Sequence, residues 1–407
     1  MQYGRAEPRV LQSYFPCTPL HPSVRMGGPC RTRLFRLRRA QMFFYSLVLL
    51  TLLLLAIVIR PKRSTKAKRL YVALVFALLI CIAACRSYTV GVDTEQFIRA
   101  YARIGAEGWS AFALERYEPG FTALCLLLNQ LSSNYQLLLV FTAIVMYVPI
   151  GYAIYKYSEN PLLSCFLFIT LNIYTAYMNV MRQGIAAALL VVAFVFLLKR
   201  SNVGFVACVV AASMFHVYAL IALVILPLTK IGFRKGYVFV YLALYAICLL
   251  AFNVVLALAQ WVLGREDVYS SDFMASNYFG AVIQLAFVAV LAFFVVNYIE
   301  VLKRTNLDDR GMLSFYQHAM MLAVLFQVTG VQAEIFARLA YYFSIFAVIS
   351  IPIALTAPKQ KERTFSLVFL CSMSFAYFFA VGLLRPEWQG VIPYAVDFSN
   401  VLAILGW

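Results

Sequence analysis

Ionisable side chains set in an apolar chain are the residues that could carry chemistry in this sequence. Charged groups at membrane depth are costly to bury, so each one is a candidate for function. Arg182 lies between two apolar runs, with Asn179 before it and Gln183 directly after it. His216 lies near the middle of another long apolar run. The remaining candidates are Arg86, Asp93, Glu118, His318, Glu334, Arg338, Tyr341 and Tyr342.

Each candidate also has an ordinary structural interpretation. Arg182 fits a loop residue that caps two spans, and His216 fits a hydrogen-bonded residue between helices. Glu334 and Arg338 are four residues apart and fit an ion pair on one helix. The other structural interpretations are Asp93 as a helix N-cap, His318 as a buried residue near a span end, and Tyr341 with Tyr342 as interfacial belt residues.

Transfer from a pyrophosphate is the chemistry that these side chains suit. Guanidinium groups bind phosphate bidentately and keep their charge, so a set of them would stabilise a pyrophosphate leaving group. A carboxylate or a histidine would then take the proton of an attacking hydroxyl. The sequence has no P-loop, HExxH, GxSxG or DxD-type motif, which argues against ATP or nucleotide-sugar chemistry. We therefore expect no cofactor and no metal, and seven of the nine cysteines lie inside apolar runs and fit apolar filler.

The composition indicates that these residues are positioned by membrane helices. Hydrophobic residues make up 63% and charged residues 13% of the 407 residues, against about 45–50% and about 25% in soluble domains. This excludes a soluble enzyme, a nucleic-acid-binding module and a disordered chain. The net charge of +17 fits basic residues in short loops that set topology, so we expect no nucleic-acid partner.

Eleven charge-free runs between residues 40 and 384 divide the chain into spans. A membrane helix needs about 20 mostly apolar residues, and the run 119–155 is long enough for two helices. The runs lack the alternating polarity of barrel strands. The sequence therefore predicts an all-α integral membrane protein with about twelve transmembrane helices.

Residues 1–41 differ from the rest of the chain. They hold five of the 14 prolines and eight arginines, with Glu7 as the one acid. They fit either a basic cytoplasmic tail or mis-annotated upstream sequence, and we favour Met42 as the natural start. Residues 42–407 then form a single polytopic membrane domain.

The distribution of basic residues predicts the orientation of the spans. The loop 60–69 carries six Lys or Arg residues and should be cytoplasmic. Residues 86–118 then form a larger extracytoplasmic loop, in which the spacing of the apolar residues predicts an amphipathic helix. The same count places Lys199 and Arg200 outside and Arg182 inside. The polar stretch within 160–180 is either a tight turn or a re-entrant segment, and a re-entrant segment would return Arg182 to the outside.

Four segments in this order resemble the EpsG family, a group of Wzy-like bacterial polymerases of surface polysaccharides. They are RSYTVGVDTEQF at 86–97, EPGFTAL at 118–124, NVMRQGIAAAL at 179–189 and ASMFHVYALIAL at 212–223. The segment ARLAYYFSIF at 337–346 is similar to a later Arg-aromatic segment of the family.

The resemblance implies a reaction and a set of residues. Such a polymerase transfers a growing glycan (exopolysaccharide, capsule or O-antigen) from undecaprenyl pyrophosphate to a new lipid-linked repeat unit, outside the bacterial inner membrane. We expect Arg86, Arg182 and Arg338 to hold the pyrophosphate. Asp93 or His216 would be the base, Glu118 would orient the sugar or the base, and Gln183 and Tyr341 would bind substrate. The implied partners are the lipid-linked oligosaccharide, the bilayer, and chain-length regulator and export proteins.

Three other functions fit the same composition. A flippase or exporter of lipid-linked oligosaccharide would show broken helices in both halves of the chain. A membrane acyltransferase that decorates the glycan would have a His-led catalytic motif. A structural partner of the export machinery would tolerate the loss of Arg182 and Asp93.

Overall fold

The computed structural model describes residues 28–263, 278–305, 310–385 and 388–404. Every regular element in these ranges is a helix. The α-helices are α1 Gly28–Ile59, α2 Thr65–Ala84, α3 Thr94–Glu107, α4 Ala111–Leu114, α5 Pro119–Leu131, α6 Gln136–Tyr157, α7 Pro161–Thr170, α8 Ile173–Asn179, α9 Met181–Leu198, α10 Asn202–Ser213, α11 Ile225–Ile231, α12 Tyr237–Leu250, α13 Phe252–Leu263, α14 Tyr278–Thr305, α15 Arg310–Gly330, α16 Glu334–Leu339, α17 Tyr341–Ser344, α18 Ala347–Ala354, α19 Gln360–Leu384 and α20 Phe398–Ile404. Two 3₁₀ helices cover Gly108–Ser110 and Val217–Val224.

The helices confirm an all-α integral membrane protein. Within the described residues, seven helices are long and apolar enough to cross a bilayer, and the count reaches ten if each of three bent helix pairs is one span. The predicted count of twelve is not confirmed. Of the predicted tail 1–41, residues 1–27 lie outside the described part of the chain, and the start at Met42 stays a prediction.

Two sets of contacts define the opposite ends of the bundle. At one end, the Arg86 guanidinium donates to the carbonyl of Met178 at 3.0 Å, and the Gln136 amide donates to the Arg86 carbonyl at 3.3 Å. At the other, Lys68 Nζ donates to the carbonyl of Ser158 at 2.5 Å. We call these the Arg86 end and the Lys68 end.

Helix α5 begins and ends at the Arg86 end. Glu118, which precedes it, pairs with Arg182 at the start of α9. Ser132, which follows it, accepts a hydrogen bond from Tyr101 Oη at 2.5 Å, and Tyr101 belongs to α3. Its 13 residues rise about 20 Å, less than the roughly 30 Å of a hydrocarbon core. The expectation of two spans in 119–155 is therefore wrong, because α6 crosses the membrane whereas α5 begins and ends on the same side.

Residues 201–231 also turn back. Arg200 and Thr229 line one cavity together with Tyr157, the last residue of α6, so both ends of this stretch lie at the Lys68 end. Between them, the carbonyl of Met214 accepts from the amide of Gly120 at 2.7 Å, beside α5. The 12 residues of α10 rise about 18 Å, so the turn before the 3₁₀ helix lies part-way through the bundle.

These two returns correct the predicted topology. Helices α7 and α8 bend by 50° at Leu171–Asn172 but run from the Lys68 end to the Arg86 end as one broken span. Arg182 therefore lies at the Arg86 end, whereas the charge count placed it with the basic loops. Lys199 and Arg200 lie at the Lys68 end with those loops, so they now agree with the concentration of basic residues on one side of the membrane.

The predicted amphipathic helix of the loop 86–118 is confirmed as α3. Its buried residues are Thr94, Phe97, Ala100, Tyr101 and Ile104, which include the four that the spacing indicated. Its partly exposed Arg99 and Arg103 pair with Glu95 and Glu115. The buried residues face the helix α5 that follows.

Buried tyrosines fix the helices that carry the site. Tyr174 and Tyr177 on α8 are fully buried, and a buried phenol needs a hydrogen-bond partner. Tyr174 Oη donates to the carbonyl of Leu79 at 2.8 Å, and Tyr177 Oη donates to the carbonyl of Tyr341 at 3.0 Å. The second half of the broken span is thereby tied to α2 on one side and to α17 on the other.

Candidate functional site

Arg182 and Glu118 form an ion pair at the centre of the site. One Glu118 carboxylate oxygen accepts from Arg182 Nη1, and the other accepts from the amide of Val217 at 3.4 Å. The Glu118 side chain is 6% exposed and that of Arg182 is 21% exposed. The pair joins the loop before α5 to the first turn of α9 and to the turn after α10.

Aromatic rings complete the surroundings of Arg182. Its guanidinium carbon lies 4.9 Å from the ring centroid of Tyr117 and 5.6 Å from that of Phe97. Cation–π contacts of this kind stabilise a guanidinium and hold its plane. Arg182 Nε is buried without a hydrogen-bond partner among the described residues, so the group retains a donor that they do not satisfy.

Gly120 allows the close approach that aligns Glu118 with the turn after α10. A Cβ at this position would lie 2.6 Å from the carbonyl oxygen of Met214. Only glycine lets the amide of residue 120 reach that oxygen at 2.7 Å. The EPG sequence is therefore needed for backbone geometry as well as for its carboxylate.

Arg338 and Asp93 form a second, more accessible pair. Arg338 Nη1 lies 3.3 Å from Asp93 Oδ2, and the side chains are 46% and 23% exposed. The amide of Asp93 donates to Asn179 Oδ1 at 2.7 Å. Gln183 Nε2 donates to the carbonyl of Arg338 at 2.5 Å. These bonds bring three predicted site residues, Asp93, Gln183 and Arg338, to one place.

His216 lies between the turn after α10 and the helix α17. Its Nδ1 is 2.6 Å from Tyr342 Oη, and its ring lies 5.2 Å from that of Tyr218. Because the next residue, Val217, donates to Glu118, the histidine ring and the Arg182–Glu118 ion pair belong to one cluster. His216 is one of the two residues that the sequence analysis named as a candidate base.

Tyr341 joins the cluster through a chain of amides. Its hydroxyl accepts from Gln389 Nε2 at 3.3 Å, and Gln389 Oε1 accepts from Asn179 Nδ2 at 3.3 Å. All three side chains are at most 8% exposed. The network runs from Tyr341 through Asn179 to Asp93, so it fixes the loop that carries the accessible carboxylate.

Arg86 differs in exposure from Arg182 and Arg338, the other predicted pyrophosphate-binding residues. It is fully buried, and its guanidinium donates to the carbonyls of Ala83 and Met178. Those carbonyls belong to the last turns of α2 and α8, where the helix dipole favours a cation. Its geometry therefore supports an anchor for two helix ends, because its guanidinium has no surface that a substrate could reach.

The C-terminal segment closes the Arg86 end. The amide of Ser87 donates to the carbonyl of Ala395 at 2.8 Å, and Tyr135 Oη donates to Asp397 Oδ2 at 2.7 Å. Burial alone would raise the pKa of Asp397, but hydrogen bonds from Tyr135, Ser399 and Asn400 outweigh burial and lower it to about 2. The ionised form of Asp397 thus holds the segment in place.

His318 and the metal-ligating residue types lie outside this cluster. His318 is buried near the Lys68 end, where its Nδ1 is 3.0 Å from Tyr241 Oη, which fits its structural interpretation. In the described ranges no three His, Cys, Asp or Glu side chains are grouped as metal ligands would be.

The sequence model of the EpsG family matches residues 69–396, which is most of the chain and includes every residue of the cluster. The chain belongs to the EpsG family. This is a Wzy-like polysaccharide polymerase family, so the resemblance seen in the sequence is confirmed.

Membership in the EpsG family is the finding that points to function. It suggests a polysaccharide polymerase that acts on lipid-linked oligosaccharide in a membrane. No curated protein and no solved structure matches the chain.

Sequence reasoning on this EpsG-family protein did not identify Asn179, Gln389 and Tyr117 as residues of the cluster. Asn179 lies three residues before Arg182 in the quoted segment 179–189, and this proximity was a usable signal. Gln389 and Tyr117 gave none, because an isolated amide or aromatic residue is common at helix ends. Tyr342 fitted the interfacial belt equally well, and only its contact with His216 distinguishes the two interpretations.

Proposed function

We propose that this protein polymerises a surface polysaccharide outside the bacterial inner membrane. It transfers a growing glycan from undecaprenyl pyrophosphate to a new lipid-linked repeat unit. The observation that carries the proposal is the convergence of two Arg–carboxylate pairs and a histidine at one end of the bundle. Family membership supports the reaction class, and the pairs supply groups suited to pyrophosphate.

The distribution of charge supports an extracytoplasmic site. Basic residues are concentrated at the Lys68 end, in the loop 60–69, at Lys199 and Arg200, and in the stretch 230–235. Cytoplasmic loops carry such an excess. The Arg86 end, with the ion pairs, therefore faces the periplasm or the outer surface.

The reaction needs a leaving group, a base and a hydroxyl. The acceptor hydroxyl oxygen forms a bond to the anomeric carbon of the growing glycan, and the bond from that carbon to pyrophosphate breaks. The electron pair leaves with the polyprenyl pyrophosphate, and the hydroxyl proton passes to a base. Arg338 and Arg182 would hold the negative charge that develops on the pyrophosphate.

The contacts of Glu118 and Asp93 support different roles for the two carboxylates. Both Glu118 oxygens are engaged, by Arg182 and by the amide of Val217, so we assign it to orient Arg182. Asp93 is more exposed and loses its cation when pyrophosphate takes Arg338, which makes it the base that we favour. His216, held by Tyr342, would bind the acceptor near the transferred sugar. Gln183 and Tyr341 position Arg338 and the loop of Asp93, and Arg86 is left out of the substrate-binding group.

A glycan size profile tests this function. The gene is deleted and restored as wild type, Arg182→Ala or Arg103→Ala, with matched expression. Arg103 is the control, because it pairs with Glu115 on the outer side of α3. We expect single repeat units in place of the long ladder for the deletion and for Arg182→Ala, and a normal ladder for Arg103→Ala.

Other outcomes would identify the other functions. Loss of all surface glycan, with lipid-linked units retained on the cytoplasmic side, would indicate a flippase. A normal ladder with altered decoration would indicate an acyltransferase. An unchanged profile in the deletion would remove the protein from polymer growth.

A further inference from the structure

An apolar cavity lies beside the accessible ion pair at the Arg86 end. Its volume is about 240 Å³, and it lies between the first turns of α14 and the last turns of α19. The stacked rings of Phe287 and Tyr377, with centroids 4.0 Å apart, close it on the side of the Lys68 end. The cavity is therefore a cleft between two membrane helices.

The cleft opens sideways toward the lipid phase. Phe279 on α14 and Leu384 on α19 both line it and are 77% and 72% exposed. Ile283, one turn below Phe279, is 45% exposed. Both helices are apolar spans, so these side chains face acyl chains in a bilayer. A hydrocarbon chain can enter the cleft without leaving an apolar environment.

The inner end of the cleft reaches the site. Glu334, Ala337 and Trp388 line both the cleft and a small polar pocket. The other walls of that pocket include Asn179, Arg338 and Gln389. Arg385 lines the cleft itself. An apolar path thus ends at two guanidinium groups and the Glu334 carboxylate, and one of the guanidinium groups is the partner of Asp93.

We propose that this cleft binds the isoprenoid chain of the glycan donor, with its pyrophosphate at Arg338. The inference rests on the proposed function and adds the position of one of the two lipid-linked substrates. A single flexible hydrocarbon chain with an anionic head matches this apolar cleft and the guanidinium groups at its inner end. A bilayer phospholipid fits less well, because its headgroup stays at the membrane surface whereas the polar pocket lies between α16 and the loop of Asp93.

Photolabelling of the full-length protein tests the proposal without requiring turnover. The probe is an undecaprenyl pyrophosphate that carries a diazirine in its isoprenoid chain, in nanodiscs of phosphatidylethanolamine and phosphatidylglycerol. We expect label on peptides that contain residues 279–284 and 377–385. Unlabelled undecaprenyl pyrophosphate should compete for this label. Added phosphatidylglycerol should not.

A matched pair of variants fills the cleft or leaves it open. Ala380 lines the cleft, whereas Ala376, one turn away on α19, is exposed and does not line it. We expect Ala380→Trp to reduce labelling about fivefold by occupying the space. Ala376→Trp should leave the labelling at the wild-type level.

Three results would overturn the proposal. These are label spread over the lipid-facing helices, equal competition by phosphatidylglycerol, and equal labelling of the two tryptophan variants. If Ala380→Trp fails to fold, the peptide map of the wild-type label decides the question. Site-specific label in a protein that does not polymerise would keep the cleft and reject the polymerase. Polymerisation without label in the cleft would do the reverse.

Discussion

The two ion pairs differ in burial, and this difference separates their functions. The Arg182–Glu118 pair is largely enclosed, whereas the Arg338–Asp93 pair is partly exposed. Breaking an enclosed pair leaves a charge without compensation, while an exposed pair is easily exchanged for another ligand. The inner pair therefore has the character of a fixed scaffold, and the outer pair that of a group which a substrate can open.

Glu118→Gln tests the scaffold role. The variant keeps the shape of the side chain but removes the negative charge beside Arg182, which we expect to cost roughly 1–3 kcal/mol of stability. We expect the glycan ladder to shorten to single repeats. Glu115→Gln is the control, because Glu115 pairs with Arg103 instead. Equal ladders in the two variants, read on gels at matched expression, would contradict the assignment.

Tyr342→Phe tests the positioning of His216. The variant removes the hydroxyl that lies 2.6 Å from His216 Nδ1, and a lost hydrogen bond of about 1 kcal/mol corresponds to a rate reduced about fivefold. The initial rate of polymerisation by purified protein in vesicles is the measurement. Tyr298→Phe, which loses a hydroxyl bonded to Ser366 far from the site, should keep the wild-type rate. A matching loss in both variants would point to general destabilisation.

At the scale of elements, the turn before α3 decides where Asp93 lies. Gly91 has φ +102°, and a Cβ there would lie 2.4 Å from Thr94 Oγ1 and 3.3 Å from the Cα of Asn179. The strain and the collision would both displace the loop that Asn179 holds. Gly91 is therefore needed to place the Asp93 carboxylate in the site.

Gly91→Ala should abolish long polymer and cost about 1–3 kcal/mol of stability. Gly108→Ala is the matched control, because Gly108 has φ +62° and open space around its missing Cβ. Both variants should lower the Tm, which thermal unfolding measures. Only Gly91→Ala should shorten the ladder, and a shortened ladder in both would show that strain anywhere in the loop is sufficient.

The short helix α5 is the element on which the topology depends. If it turns back, residues before and after it lie on the same side of the membrane. We expect Arg116→Cys and Ser133→Cys to react with a membrane-impermeant maleimide added from outside. Glu159→Cys and Arg200→Cys should react only after permeabilisation. All four positions are exposed, and a crossing α5 would exchange the sides of residues 133, 159 and 200.

At the scale of the whole molecule, the C-terminal segment closes the bundle over the site. Asp397 holds it through Tyr135, and its pKa of about 2 lies below the ordinary value of 3.8. A depressed carboxyl pKa contributes stability that is fully present above the unfolded value and is lost as the pH falls through the folded one. We therefore expect the Tm to fall between about pH 4 and pH 2.

Asp397→Asn should remove this pH dependence. The variant should have a lower Tm than the wild type at pH 7 and a smaller further decrease on acidification. Scanning fluorimetry in detergent across this pH range makes the measurement, with Asp93→Asn as a control for a carboxylate outside the C-terminal segment. A parallel decrease in the wild type and in Asp397→Asn would show that other carboxylates dominate.

The sequence by itself determined the class of the protein and several parts of the site. Composition and the apolar runs required an all-helical membrane protein, because no soluble core can bury so many apolar side chains. The spacing in α3 showed its buried face. The ordered segments identified the EpsG family and named Asp93, Glu118, Arg182, His216 and Arg338, which the structure brings together.

Only the tertiary structure decided which residues are partners and which side they face. Arg182 and Glu118 are 64 residues apart, and Arg338 and Asp93 are 245 apart, so no local pattern links them. Hydropathy measures the free energy of transfer into lipid. It is the same for a short apolar helix that crosses the membrane and for one that stays on one side. The contact of Arg86 with two helix ends likewise depends on packing. The sequence does not distinguish an arginine that binds phosphate from one that binds backbone carbonyls.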